Sequence, residues 1–465
     1  MSTSILRAFS KIHNYSWLKL IKLFPVEKSK PAILGIAELK DKKSVAVLES
    51  AVKDFVSPNL DNSQIMRNSV MLGNLYMILN VEDKKKFLHI LKDSCDVDID
   101  ALKTAIDLCY QDEYSDKSRL KLINILHSGR NRIFRQFVFV QDGLKFLVDM
   151  RADLIEYSKE DKTLKPLADE LKVILSSWFD TGLLDLVRIT WDDKASLLEK
   201  IMRYEAVHEI ESWEDLHCRL SGNKHCYAFF HYKMPDEPLI FVEIYLSNKV
   251  EVKMHDLLLR NENYLMEKDS DSGLTHVIFY SISNTQKGLL GINLGNFLIK
   301  RVVDKIHCDL PNVKYFYTLS PITGFRSWLK HECEKNSWNF NVDKERVLSL
   351  VYENDFSNHD DIDSLKEGLM SLCAYYLSTA VDEKGKHYDA VANFHLSNGA
   401  SIYGINWMSD ISNKGLHQSF GMMVNYEYDV NSISDRYIGF TSNKKIEVSK
   451  TVANMHKNIK KIGVL

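Results

Sequence analysis

Proline is scarce in this chain, with eight residues in 465, and none falls between Pro58 and Pro166. Glycine is scarce at the same end: five of nineteen (35, 73, 129, 143 and 182) lie in the first 185 residues. So few breakers over so long a stretch exclude a turn-rich β architecture there. No apolar run approaches the ~20 residues that span a bilayer, and the N-terminus lacks the compact apolar block of a secretory signal, so a soluble protein without a membrane partner is expected. The formal net charge is only −3, which gives no general attraction to nucleic acid or anionic lipid. A small molecule or a protein is the expected partner. Seven cysteines (95, 109, 218, 226, 308, 333 and 373) are scattered and odd in number, which argues against a disulfide framework and for a reducing compartment.

What is present is globular in kind, 45% hydrophobic and 26% charged, and at this length two or three domains are expected. "QIMRNSVMLGNLYMILN", "EDKKKFLHILKDSC", "SDKSRLKLINILHS" and "DGLKFLVDMRADLIEYSKE" repeat apolar residues at spacings of three and four, with acidic or hydroxyl residues near their starts. This predicts an all-α domain over residues 1–184. The first 24 residues hold Arg7, Lys11, Lys19 and Lys22 and no acid, which reads either as an ordinary first helix or as an organellar transit peptide. From about Ile189 the pattern changes to β-branched and aromatic runs such as "CYAFFHY", "PLIFVEIYL", "HVIFYSI", "KYFYTLS" and "VANFHL", giving a mixed α/β domain over 185–465.

Within that second region, "FYSISNTQKGLLGINLGNFLIKRVV" (279–303) reads as strand, glycine-rich turn and helix. Glycines at 288, 291 and 295 let backbone N–H groups approach a ligand, and the positive end of the following helix suits a phosphate. The spacing matches neither the dinucleotide fingerprint nor the P-loop, so a purely structural turn stands beside that reading. Ser320 is placed at a strand end before Pro321, a common ligand position and also an ordinary turn start, with no G-x-S-x-G elbow around it. The segment 390–396 alternates apolar residues as a strand would, setting His395 opposite Phe394. There the imidazole is either a structural group or a proton carrier near neutral pH. His217-Cys218 and His225-Cys226 are not spaced to converge on zinc, and no metal is expected. "YEAVHEIESW" (204–213) reads as a helix with solvated charges.

Taken together, "YEAVHEI", "MPDEPLIFVEIYL", the 279–303 stretch, "TLSPITGF", "DAVANFHLSNGASIYGINWMSDIS" and "GMMVNYEYD" resemble, in order, the malonyl-CoA decarboxylase family. The resemblance implies an acetyltransferase-like (GNAT) catalytic domain behind a helical oligomerisation domain, a homotetramer, and malonyl-CoA cleaved to acetyl-CoA and CO2 with no cofactor. It implies substrate contacts at Leu290, Gly291, Ile292, Asn293, Leu294, Gly295 and Asn296, catalysis by Ser320 and His395, and Ser281 and Tyr428 nearby. Two departures stand out: Thr323 replaces a usual proline after Ser320, and Asn293 stands where an acidic or hydroxyl residue is expected, which removes a carboxylate that would orient His395. An acyl-CoA-dependent N-acyltransferase and a non-catalytic CoA-binding protein are the alternatives. The final Gly463-Val464-Leu465 is not the peroxisomal S-K-L address, and the cytoplasm is expected, with mitochondria second.

Overall fold

The computed structural model describes residues 42–55, 61–127, 129–258, 273–292, 294–335, 338–353, 360–383 and 385–459. The basic stretch before Lys42 and the last residues, read above for targeting, lie outside them. The chain divides into two compact units, Met1–Ile174 and Leu175–Leu465.

The described part of the first unit is helical, running from Lys42–Phe55 through Asn62–Ile78, Val81–Ser94, Ile99–Gln111, Asp116–Leu126 and Gly129–Gln136 to Gly143–Glu160 and the greater part of Lys165–Trp178. Its starts are set by the polar residues noted in the sequence. Asp61 and Gln64 form a reciprocal capping box, and Asn80, Asp98 and Ser115 each accept from a first-turn N–H. The apolar stripes meet in a core where Phe87, Phe134, Phe137, Leu147 and Leu154 are fully buried.

The second unit is built on an eight-stranded mixed sheet in the order β1-β2-β3-β4-β5-β8-β6, with β7 paired to β8. The strands are β1 (Leu184–Ile189), β2 (Lys224–His231), β3 (Ile240–Ser247), β4 (His276–Asn284), β5 (Tyr315–Thr318), β6 (Ser320–Pro321), β7 (Ser401–Asn406) and β8 (Met423–Glu427). β2 is buried along its whole length and β3 nearly so, which explains their unbroken apolar runs. Helices α1 (Ala195–Tyr204) and α2 (Trp213–Arg219) supply part of that cover, with Leu198, Ile201 and Leu216 packed against Cys226, Ala228, Phe230 and Phe241. β1 to β4 form an antiparallel meander, whereas β4 and β5 are parallel and joined by α3 (Gly295–Asp309), the strand-helix-strand unit expected from the sequence. Leu298, Val302 and Ile306 face inward on α3, and Lys300, Arg301, Asp304 and Lys305 are exposed. The fold class is that expected as far as a helical region followed by a mixed sheet with helices.

Two local expectations are overturned. Residues 390–396 are not a strand but a helix, α5 (Ala390–Leu396), which follows α4 (Lys366–Ser378). The carboxylate of Asp389 caps its first turn by accepting from the Ala392 N–H. Gly399 ends it in the left-handed region at φ +80°, where an added Cβ would lie 2.2 Å from the Ile433 carbonyl oxygen. Over seven residues, alternation and helical spacing are poorly separated, and the cap and terminator decided the outcome. The segment 204–213 is likewise not one helix. α1 stops at Tyr204, the carboxylate of Glu205 accepts from the N–H groups of Val207 and His208, and α2 starts only after Ser212.

Candidate active site

Three pieces of the second unit bring the chemistry together. Thr318 ends β5 and Ser320 opens β6, so strand alternation sets both hydroxyls on one face. β6 pairs with β8, Ser320 to Val424 and Pro321 to Met423, and this pairing fixes Ser320 whatever side chain stands at exposed position 323. α5 carries His395 toward β8, whose end supplies Tyr426, followed at once by Tyr428.

The result is a continuous hydrogen-bonded chain. Ser320 Oγ lies 3.0 Å from His395 Nε2, and His395 Nδ1 lies 2.8 Å from the Tyr428 hydroxyl. Ser320 also donates to Thr318 Oγ1 at 2.9 Å, and Thr318 Oγ1 accepts the Tyr426 N–H at 3.1 Å. The Tyr426 ring stacks on the imidazole with centroids 4.5 Å apart. Ser320, His395 and Tyr428 are all buried. Removal from water pushes the imidazole down to about 3 and the Tyr428 hydroxyl well above its usual range, so both are neutral in the folded protein. The carboxylate missing at Asn293, itself outside the described residues, is therefore not needed to orient His395, because Tyr428 holds Nδ1.

The glycine turn reaches the same place. After β4 the chain passes a short turn at Lys287–Leu289, exposes Leu290, takes Gly291 through the left-handed region at φ +78°, and buries Leu294 at the start of α3. No side chain caps that start and no acidic residue lies in its first turn, so the positive end of the helix meets no competing anion from its own first turn. Gly295 packs against the helix that carries His395: a Cβ there would lie 2.8 Å from Phe394 Cε2. The phosphate-compatible turn and the Ser320–His395 pair thus share one corner of the sheet.

The family model of the malonyl-CoA decarboxylase C-terminal domain matches residues 182–463, and that of the N-terminal domain matches 96–179. The chain belongs to the malonyl-CoA decarboxylase family. It is 35% identical to the mitochondrial malonyl-CoA decarboxylase of Anser anser anser over 346 residues, 69% of this chain and 68% of that one. It is 34% identical to the mouse (Mus musculus) mitochondrial enzyme over 349 residues, 70% of each. The crystal structure of malonyl-CoA decarboxylase from Rhodopseudomonas palustris superimposes with a TM-score of 0.79 at 34% identity, covering 88% of this chain and 99% of that one.

Against this family frame, the residues named from sequence sort clearly. Ser320, His395 and Tyr428 come together, and Leu290, Gly291, Ile292, Leu294 and Gly295 line the turn and helix start, with Asn296 in the first turn of α3. Ser281 does not join the histidine. Its hydroxyl donates to both carboxylate oxygens of Glu205, at 2.7 and 2.8 Å, and Ser283 donates to the same group at 3.0 Å. Thr318 and Tyr426 were missed. The signals were there, as "TLS" and "YEY" are i, i+2 pairs on strands, which put Thr318 beside Ser320 and Tyr426 beside Tyr428.

Proposed function

We propose that this chain decarboxylates malonyl-CoA to acetyl-CoA and CO2 at the Ser320–His395–Tyr428 site, with no metal or prosthetic group. The observation that carries the reading is the convergence of that buried chain with the glycine turn in a member of this family. Malonyl-CoA contains its own electron sink, the thioester carbonyl. The bond between the carboxylate carbon and the α-carbon breaks, CO2 leaves, and the electron pair enters the thioester enolate. Backbone N–H groups stabilise the oxygen that gains charge, and Ser320 Oγ, 3.0 Å from His395 Nε2, holds the imidazole in place. His395 Nε2–H delivers its proton to the α-carbon, and solvent restores it, so one proton is consumed per turnover. The pyrophosphate of CoA is assigned to the 286–296 turn.

The reading extends to assembly and compartment. We assign a homotetramer held partly through the helical domain, supported by the exposed Ile99, Ile106 and Tyr110 on one helix and Leu120, Ile123 and Leu126 on the next. The scattered, odd-numbered cysteines of the sequence support a reducing compartment. We assign the cytoplasm, and fractionation of cells that returns the protein in mitochondria overturns this.

The deciding assay is purified protein incubated with malonyl-CoA alone, following acetyl-CoA and CO2. Turnover that requires an added amine points to an N-acyltransferase, and CoA binding without turnover points to a non-catalytic CoA-binding protein.

A further inference from the structure

We propose that Thr318 is a positioning residue for this reaction: as acceptor of the Ser320 hydroxyl proton, it holds His395 in the tautomer that carries its proton on Nε2. The inference rests on the reading of His395 as proton donor and adds what sets the direction of its hydrogen bonds. Ser320 has one proton, and it points at Thr318 Oγ1, 2.9 Å away. Towards His395, 3.0 Å away, Ser320 Oγ can then only accept, so Nε2 must be the protonated nitrogen. A neutral imidazole has a single N–H, so Nδ1 is bare and accepts from the Tyr428 hydroxyl at 2.8 Å. The chain runs one way, from Tyr428 to His395 to Ser320 to Thr318.

Thr318 is built to be a fixed acceptor. It is fully buried, and its two lone pairs take the Tyr426 N–H and the Ser320 hydroxyl. Its carbonyl accepts from Asn425 Nδ2 at 2.6 Å, and its backbone closes the β4–β5 ladder opposite Phe279. The opposite arrangement, with Ser320 O–H on a bare Nε2, is the one a nucleophilic serine needs. Thr318 therefore selects proton delivery over serine activation.

The test is solid-state ¹⁵N NMR of histidine-labelled enzyme, with the His395 signal assigned by its loss in His395→Ala, together with steady-state kinetics. Wild type is expected to show Nε2–H. Thr318→Val keeps the shape and removes the acceptor. It should switch His395 to Nδ1–H and lower kcat by roughly 10²-fold, the lower end of what general acid catalysis contributes, with CoA affinity retained. Thr318→Ser should restore both tautomer and kcat. An Nδ1–H signal in wild type overturns the proposal even if Thr318→Val does not fold. So does an unchanged kcat in Thr318→Val, or an equal loss in Thr318→Ser. A fully active His395→Ala overturns the underlying assignment of His395 instead, so the two failures are told apart.

Discussion

Replacing His395 with alanine removes the group facing Ser320 and leaves Tyr428 without its 2.8 Å partner. Loss of a proton donor acts on the transition state, so kcat should fall by ~10²–10⁴-fold while CoA binding changes little. Ser320→Ala should behave in the same direction. Because the two side chains are in contact, the double variant should lose much less than the product of the single losses, and multiplicative losses in steady-state kinetics would argue for independent roles. The titration of His395 gives a second check. Burial holds the imidazole down to about 3, so kcat/KM, which reports the free enzyme, should lack the inflection near ~6.5 that an exposed histidine produces. A protonation step at that pH that disappears in His395→Ala would show that the ring is solvated in solution. At this scale the sequence spoke only through family resemblance. Ser320 and His395 are 75 positions apart, each is ordinary in its own surroundings, and they meet only because β6 pairs with β8 and α5 lies over that pair.

The glycine turn was legible as an element because strand, breaker and amphipathic helix follow one another within 25 residues, each with its own signal. The helix carrying His395 was not. Its seven residues suit two periodicities, its local Asp389 cap is also an ordinary turn residue, and its terminator works through a contact with Ile433 that no local pattern announces. The junction of these two elements yields a prediction. Gly295→Ala puts a Cβ 2.8 Å from Phe394, and the aromatic ring must move, taking the adjacent His395 out of line. Misplacement on the order of 1 Å can cost ~10²-fold, so kcat should drop while circular dichroism stays that of wild type. Full activity would mean that α5 yields without disturbing the imidazole. Gly291 lies outside this contact and tests binding. Gly291→Val forces an L residue into the left-handed region, at ~1–2 kcal/mol of strain, and blocks backbone approach, so the Kd for CoA should rise. Equal affinity in a folded variant would move the pyrophosphate elsewhere.

At the scale of the whole molecule, acid stability follows from how many histidines the second unit buries. Burial is the leading cause in each case, lowering His208 to about 4, His225 to about 3 and His395 to about 3. In an unfolded chain each titrates near ~6.5. Their contribution to stability is therefore complete above ~6.5 and is lost as pH falls towards 4, because over that interval the unfolded chain binds protons that the folded one refuses. Glu243 works the other way. Burial, and then the neighbouring Glu205, raise it to about 8, against the attraction of Arg219 at 3.3 Å. Arg219 also has both carboxylate oxygens of Asp215 at 3.1 Å, so its charge is already matched and the upward direction holds. Near pH 5 these three histidines, with His231 and His387, which burial also lowers, take up protons on unfolding and Glu243 releases one, a net uptake. Tm should fall steadily on acidification from pH 7 to 5. Calorimetry in buffers of different ionisation enthalpy should return that uptake, and His225→Gln should reduce it by about one. A Tm independent of pH over this range, or net proton release, would mean that these imidazoles are reached by water in the folded protein and that the neutral, buried state argued for His395 does not hold.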